Sequence, residues 1–169
     1  QRARQRQLEE GLAAIAAHPN DAYAHDTVGI ARFRLAEGAI AANRPTYSLL
    51  TEAYSNFRSA TMSNPRFPWA YNDHAIALLA EAKQRQQRNH DPLPLIQQAA
   101  ERAEQALTID PNYIYALNTI SAASVRACTW DIEHGRDPTI WVARGVDAAQ
   151  RALRINPRYS FAYGNIGTL

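Results

Sequence analysis

Ala106-Leu107-Thr108-Ile109-Asp110-Pro111-Asn112-Tyr113-Ile114-Tyr115-Ala116 closes one apolar helical pattern, turns at Asp110-Pro111 and opens another. The same columns return on both sides of it. Pro111 is one of four prolines, Pro19, Pro65, Pro111 and Pro157, each 46 residues from the next. The tails before two of the others read Ala60-Thr61-Met62-Ser63-Asn64-Pro65 and Ala152-Leu153-Arg154-Ile155-Asn156-Pro157. After the prolines, Tyr23-Ala24, Trp69-Ala70, Tyr115-Ala116 and Phe161-Ala162 recur at one offset. A fixed period of this length marks an array of stacked repeats, in which each unit buries its apolar face against its neighbours. Such arrays usually work by offering a surface, so the pattern implies binding more than catalysis.

Composition agrees. The 169 residues are 46% hydrophobic, and 18 basic against 16 acidic residues leave a net charge of +2. Near-balance of this kind predicts neither nucleic-acid nor membrane binding. The run Arg2-Ala3-Arg4-Gln5-Arg6 reads as the solvated face of a first helix. Cys128 is the one cysteine, which excludes a disulfide framework and a cysteine metal cluster. No stretch of 18 apolar residues exists and the N-terminus does not read as a signal peptide, so a reducing, cytoplasmic setting is expected.

Within one unit, residues 112–157, two helical patterns flank a polar turn. Tyr113, Ala116, Leu117, Ile120 and Ala123 recur at spacings of three and four and mark the buried face of the first helix. The turn Glu133-His134-Gly135-Arg136-Asp137-Pro138 follows, with Asp137 placed to cap the next helix and Pro138 at its first position. Asp91-Pro92 repeats that device, and Pro45-Thr46 shifts it by a residue or so. Ile140, Val142 and Val146, then Ala149, Ala152 and Leu153, form the expected buried face of the second helix. Asn156-Pro157 ends it, because proline disfavours helical backbone at the residue before it. The expected organisation is a half-unit at 1–19, full units at 20–65, 66–111 and 112–157, and a half-unit at 158–169. Tyr159, Phe161, Tyr163, Ile166 and Leu169 form a last pattern too apolar for a solubilising cap, which suggests a piece of a longer array.

Small residues stand 12 positions before Pro65, Pro111 and Pro157 (Ala53, Ala99, Gly145) and 5 before them (Ala60, Ala106, Ala152), with Phe57, Ala103 and Ala149 between. Ten positions after the prolines come Gly29, Ala75, Ser121 and Gly167, preceded by Val28, His74, Ile120 and Ile166. Small side chains at these columns let helices approach closely. These columns resemble the tetratricopeptide repeat, whose second helix carries Ala-x3-Phe/Ala-x2-Ala followed by proline. The resemblance covers essentially the whole chain and implies an all-α, right-handed solenoid of antiparallel helix pairs. The family's unit is 34 residues, so about 12 are added here, roughly three helical turns. A HEAT-type array, with units of roughly 40–47 residues, is the rival reading.

In that family the first helix of each pair lines a concave groove. The resemblance then implies an aromatic row, Tyr23, Trp69, Tyr115 and Phe161, beside two polar rows. The first polar row is Asp26, Asn72 and Asn118, and the second is Thr27, Asp73, Thr119 and Asn165. An Asn amide can donate to and accept from a peptide backbone at once, so the Asn row is read as ligand-facing. The aromatics can supply contact area, but packing on neighbouring helices is the favoured reading for them. The partner expected is a protein or extended peptide. Among all the groove positions the resemblance implies, only Arg34 and Arg126 are basic and no Lys is present, so the carboxylate clamp of chaperone-binding members is not expected.

Other motifs read as structure. His134-Gly135-Arg136-Asp137 shares its column with Asn89-His90-Asp91 and is turn chemistry, not a kinase loop. His74 is expected as a hydrogen-bonded core histidine, and His18, His25 and His90 lack metal-ligand spacing. Trp130 and Trp141 are expected to pack together across the turn. No catalytic constellation, cofactor motif or metal site is expected. The Gly/Asn-x-Asp-Pro turns and the Asp/Asn-Pro-Arg/Asn-Tyr boundaries also look like arrays appended to bacterial serine/threonine protein kinases. That resemblance implies a regulatory array beside a catalytic domain as an alternative, with self-assembly or a spacer role as another.

Overall fold

The computed structural model describes residues 2–42, 44 and 46–169; the expected Pro45 device therefore lies partly outside the described residues. The described chain is all-helical: α1 (Arg2–Ala17), α2 (Ala22–Ala41), α3 (Tyr47–Ser63), α4 (Pro68–Gln87), α5 (Leu93–Ile109), α6 (Ile114–Glu133), α7 (Thr139–Ile155) and α8 (Ser160–Thr168). The sequence period is realised in the helix bounds. α2, α4 and α6 have 20 residues each and α3, α5 and α7 have 17, and each start recurs at the 46-residue offset. At 1.5 Å per residue these are rods of about 30 and 25 Å. The residues beyond a 34-residue period thus lie mainly in helix, since only five separate α4 from α5 and α6 from α7.

Two turn types punctuate the period. At the proline columns the preceding residue is extended, as proline demands: Asn64, Asp110 and Asn156 have φ between −138° and −129° and ψ between 93° and 99°. Each side-chain Oδ1 accepts from the N–H two residues on, at 3.0 Å. Between helices, Asn89 and Gly135 stand in one column with φ of +56° and +67°. They are left-handed caps. The next N–H reaches back to the carbonyl of Arg85 or Asp131, at 2.9 and 2.8 Å, closing a Schellman motif in each turn. This is why Gly or Asn opens the Gly/Asn-x-Asp-Pro turn. Asp91 and Asp137 then accept from the N–H groups of Leu93 and Thr139 at 2.9 Å. Pro92 and Pro138 occupy the cap itself, one position earlier than expected, and their carbonyls accept the first helical bonds.

The chain forms two compact units, Gln1–Ala77 and Leu78–Leu169, divided within α4. In the first, α2 packs on α1 and α3. Its core holds Val28, Ala31, Ala53, Phe57, Ala60 and Ala75. A Cβ on Gly29 would stand 2.7 Å from Phe57 Cε1, so glycine alone lets the ring sit there. In the second unit α6 packs on α5, α7 and α8. Ile96, Ala99, Ala103, Ala106, Leu117, Ala149 and Ala152 are buried there. A Cβ on Gly145 would meet Ser124 Cβ at 2.6 Å, which sets the close approach of α6 and α7. Gly167, in the column of Gly29, has open space around it.

The expected face of α6 is found, with Ala116, Leu117, Ile120 and Ala123 buried and Tyr113 half-buried. The face of α7 needs a correction. Its buried stripe is Gly145, Ala148, Ala149 and Ala152, whereas Ile140 is exposed. Ile140 lies five residues before Gly145, about 140° around the helix from that stripe. Replacing Ala106 with Phe in the second unit should lower stability by about 1–3 kcal/mol through overpacking. Thermal denaturation checks this, and an unchanged midpoint would place Ala106 outside the helix interface.

Among the described residues no helix is long and apolar enough to cross a membrane. The N-terminal arginines are exposed as expected, with Arg6 Nε 2.7 Å from Glu10 Oε1.

Candidate functional site

The aromatic column is on the surface. Tyr23, Trp69, Tyr115 and Phe161 are 71%, 54%, 59% and 65% exposed. That overturns the reading in which these rings pack mainly on neighbouring helices. The packing role falls to the residue two positions earlier. Phe67 is buried and Tyr113 and Tyr159 are half-buried, their ring centroids 5.3–5.7 Å from those of Trp69, Tyr115 and Phe161. Residues two apart at a helix start let one ring anchor in the turn while the next projects outward. The anchor holds the outer ring at low entropic cost.

The polar rows behave differently from the expected open ladder. In the first unit Asp26 is 4% and Asn72 2% exposed, so neither is a free surface group. Asn72 is too deeply covered to offer its amide to a peptide backbone, and in that respect the Asn-ladder reading is corrected. Asp73 and Thr27 are half-buried. In the second unit Thr119 is buried, and its hydroxyl donates to the Tyr115 carbonyl at 3.0 Å. Asn118 and Asn165 are half-buried, and the Asn165 amide Nδ2 donates to Asn118 Oδ1 at 3.3 Å. The Asn118–Asn165 bond thus ties α6 to α8 in the second unit.

Electrostatics single out the acidic members. Burial pushes the Asp26 carboxyl up to about 8, with the Asp73 charge adding to the effect. Burial also raises Asp73, to about 6, against the opposing pull of Arg34. Asp26 Oδ1 has no hydrogen-bond partner in the protein. In the second unit the half-buried Arg126 is held below its ordinary range by desolvation, and its Nη1 donates to Gln86 Oε1 at 3.4 Å. With Gln86, Ala122, Val125 and Thr129 it lines a cavity of about 160 Å³.

The remaining sequence motifs resolve as packing. His74 is buried and stacks on Tyr54 and Phe57, ring centroids 5.1 and 5.7 Å apart. Trp130 and Trp141 find separate partners in place of the expected mutual contact. Trp130 stacks on His134 at 3.8 Å, and Trp141 lies beneath the Arg144 guanidinium at 5.4 Å. Arg144 also reaches Glu104 at 2.7 Å, joining α7 to α5. His25 contacts the Pro19 carbonyl at 2.8 Å and Asn56 at 3.4 Å, part of a network continued by Arg32 and Glu52 that sequence spacing did not reveal. Among the described residues no group of three or more His, Cys, Asp or Glu is placed to hold a metal ion.

Fold and surface together define an all-helical, repeat-patterned protein with one outward aromatic ring per period. Compared with known proteins, the chain matches no protein-family model and no curated protein.

Proposed function

We propose that this chain is a right-handed solenoid of extended tetratricopeptide-like helix pairs that binds a protein or extended peptide. The observation that carries the proposal is the aromatic column. Large rings stand at one offset in every period, each more than half exposed, and Trp69, Tyr115 and Phe161 are each held by a second ring in the turn. A packing role alone would bury them. Rings presented this way supply contact area with little conformational entropy to lose. The recurrence of helix bounds at the sequence period supports the repeat reading. Binding rather than catalysis is the proposed activity, in a cytoplasmic setting that suits a lone buried thiol at Cys128. Neither nucleic acid nor lipid enters the proposal.

The test is capture of partners from cell lysate by wild type and by a Trp69→Ala/Tyr115→Ala double variant. Both rings are exposed, so each change should alter stability by no more than about 0.5 kcal/mol, and circular dichroism should be unchanged. A partner retained by wild type and lost by the variant is the expected result. The same partners on both would remove the aromatic column from the binding site.

A further inference from the structure

The second unit carries a cationic cavity that the aromatic column does not explain. Gln86 at the end of α4 and Ala122, Val125, Arg126 and Thr129 on α6 line about 160 Å³. Each falls in the stretch that lengthens this repeat, between the small columns at Ala75 and Ala99 or at Ser121 and Gly145. Thr129 is exposed and the other four are half-buried, so the cavity opens to solvent. Its charge is uncompensated. No acidic residue lines it, and among the described residues Arg126 makes no ion pair. Glu81 on α4 is engaged by Arg85 at 3.5 Å, and Asp131 on α6 by Arg136 at 4.0 Å. Arg126 Nε is covered and has no hydrogen-bond partner, and the bond from Nη1 to Gln86 Oε1 is long, at 3.4 Å. A guanidinium partly withdrawn from water without a counter-charge is costly, and an incoming anion offsets that cost.

The donor set selects a carboxylate. A guanidinium has five N–H donors in a planar fork and no acceptor. Gln86 Oε1 is occupied by Arg126, which leaves the amide N–H groups of Gln86 to donate. The Thr129 hydroxyl already donates to the Val125 carbonyl at 3.0 Å. Ala122 and Val125 supply apolar walls, between which charged hydrogen bonds are stronger than in open water. The volume is that of about five waters, room for the end of one side chain and too little for a whole organic ligand. Arg126 also shares a stripe of α6 with an exposed ring. Tyr115, Asn118, Ala122, Arg126 and Thr129 recur at spacings of three and four. Arg126 follows Tyr115 by 11 residues, about 17 Å along the helix, which extended peptide covers in about five residues.

We propose that the Arg126 cavity binds an acidic side chain of a polypeptide partner, about five residues from the partner residue seated on Tyr115. The inference rests on the peptide-binding reading above and adds a charge and a spacing to the ligand. The carboxylate oxygens accept from the Arg126 Nη groups and from the Gln86 amide. A single arginine of this kind reads a side-chain carboxylate within a chain and needs no free terminus.

The experiment titrates the whole chain with the acetylated, amidated peptide Leu-Gly-Ser-Gly-Ser-Glu-Ser-Gly-Ser-Gly-Leu and with its glutamine counterpart, following amide chemical shifts. The leucines flank the glutamate symmetrically, so Tyr115 can be engaged in either chain direction. The glutamate peptide should bind roughly ten-fold more tightly, as charge-assisted hydrogen bonds imply, with shifts centred on Gln86 and residues 122–129. Added salt should reduce that preference. Arg126→Gln should abolish it and leave the affinity for the glutamine peptide unchanged. That variant keeps an amide beside Gln86, and its spectrum reports the fold directly. Tyr115→Ala should weaken both peptides alike. If both peptides bind wild type equally, the peptide-binding reading survives and the acidic-residue site falls. Binding of neither would overturn the site, while lysate capture tests the peptide-binding reading separately. A preference kept by Arg126→Gln would also overturn it. So would equal shifts from sodium acetate alone at the same concentration, which would make the cavity a site for free anions.

Discussion

Phe57→Ala is expected to lower the stability of the first unit by about 3–5 kcal/mol, the range for a fully buried aromatic ring truncated in a core. Phe57 is fully buried. Its ring lies where a Cβ on Gly29 would clash, at 2.7 Å, and stacks on His74 with centroids 5.7 Å apart. Removing it leaves a void bordered by Gly29 on α2 and His74 on α4. Gly29 has no side chain to fill it, and His74 also stacks on Tyr54, with centroids 5.1 Å apart. Chemical denaturation measures the effect, with Phe161→Ala as the comparison. Phe161 is exposed, and its truncation should change stability by no more than about 0.5 kcal/mol. A loss below about 1 kcal/mol at Phe57 would mean the ring does not sit at the centre of this packing.

Asp26→Asn should make the protein more stable in alkali and change it little in acid. The sign follows from linkage. Burial, helped by the Asp73 charge, raises the folded carboxyl from 3.8 to about 8. A raised acid is protonated in the folded state where the unfolded chain has already lost its proton. Its contribution to stability is therefore fully present below pH 3.8 and is lost as pH rises through about 8. Each pK unit corresponds to about 1.4 kcal/mol, and Asp73 shares the repulsion, so a gain on the order of 2–4 kcal/mol for the asparagine variant above the Asp26 value is expected. Denaturation midpoints measured from acid to alkali read this out. Wild type and variant running parallel across the range would show that Asp26 does not change ionisation there.

Much of this molecule was legible in the chain. The proline columns predicted the helix ends because proline restricts the residue before it whatever surrounds the turn, and Asn64, Asp110 and Asn156 all obey. The alanine and glycine columns predicted buried helix contacts, and Ala53, Ala60, Ala99, Ala106, Ala149 and Ala152 are fully buried. Ile140 misled because it is apolar and near the helix start, where the pattern is too short to separate faces. The Schellman turns were only half legible. The Gly/Asn column was visible, but its left-handed backbone at Asn89 and Gly135 depends on the carbonyls it must satisfy.

The sequence by itself determined where helices begin and end, how long they are, and which positions must be small. These follow from local backbone sterics and from a period that repeats. Only the tertiary structure decided which faces are covered. Helical spacing places Tyr23 with Asp26 and Trp69 with Asp73, yet it does not say whether another helix lies over them. Packing left the rings outside and drew Asp26 and Asn72 inside. It also brought Asp26 and Asp73, on different helices, close enough for the charge of one to raise the other. Periodicity reports position around one axis, whereas burial and charge coupling depend on the distance between axes, which no single helix encodes.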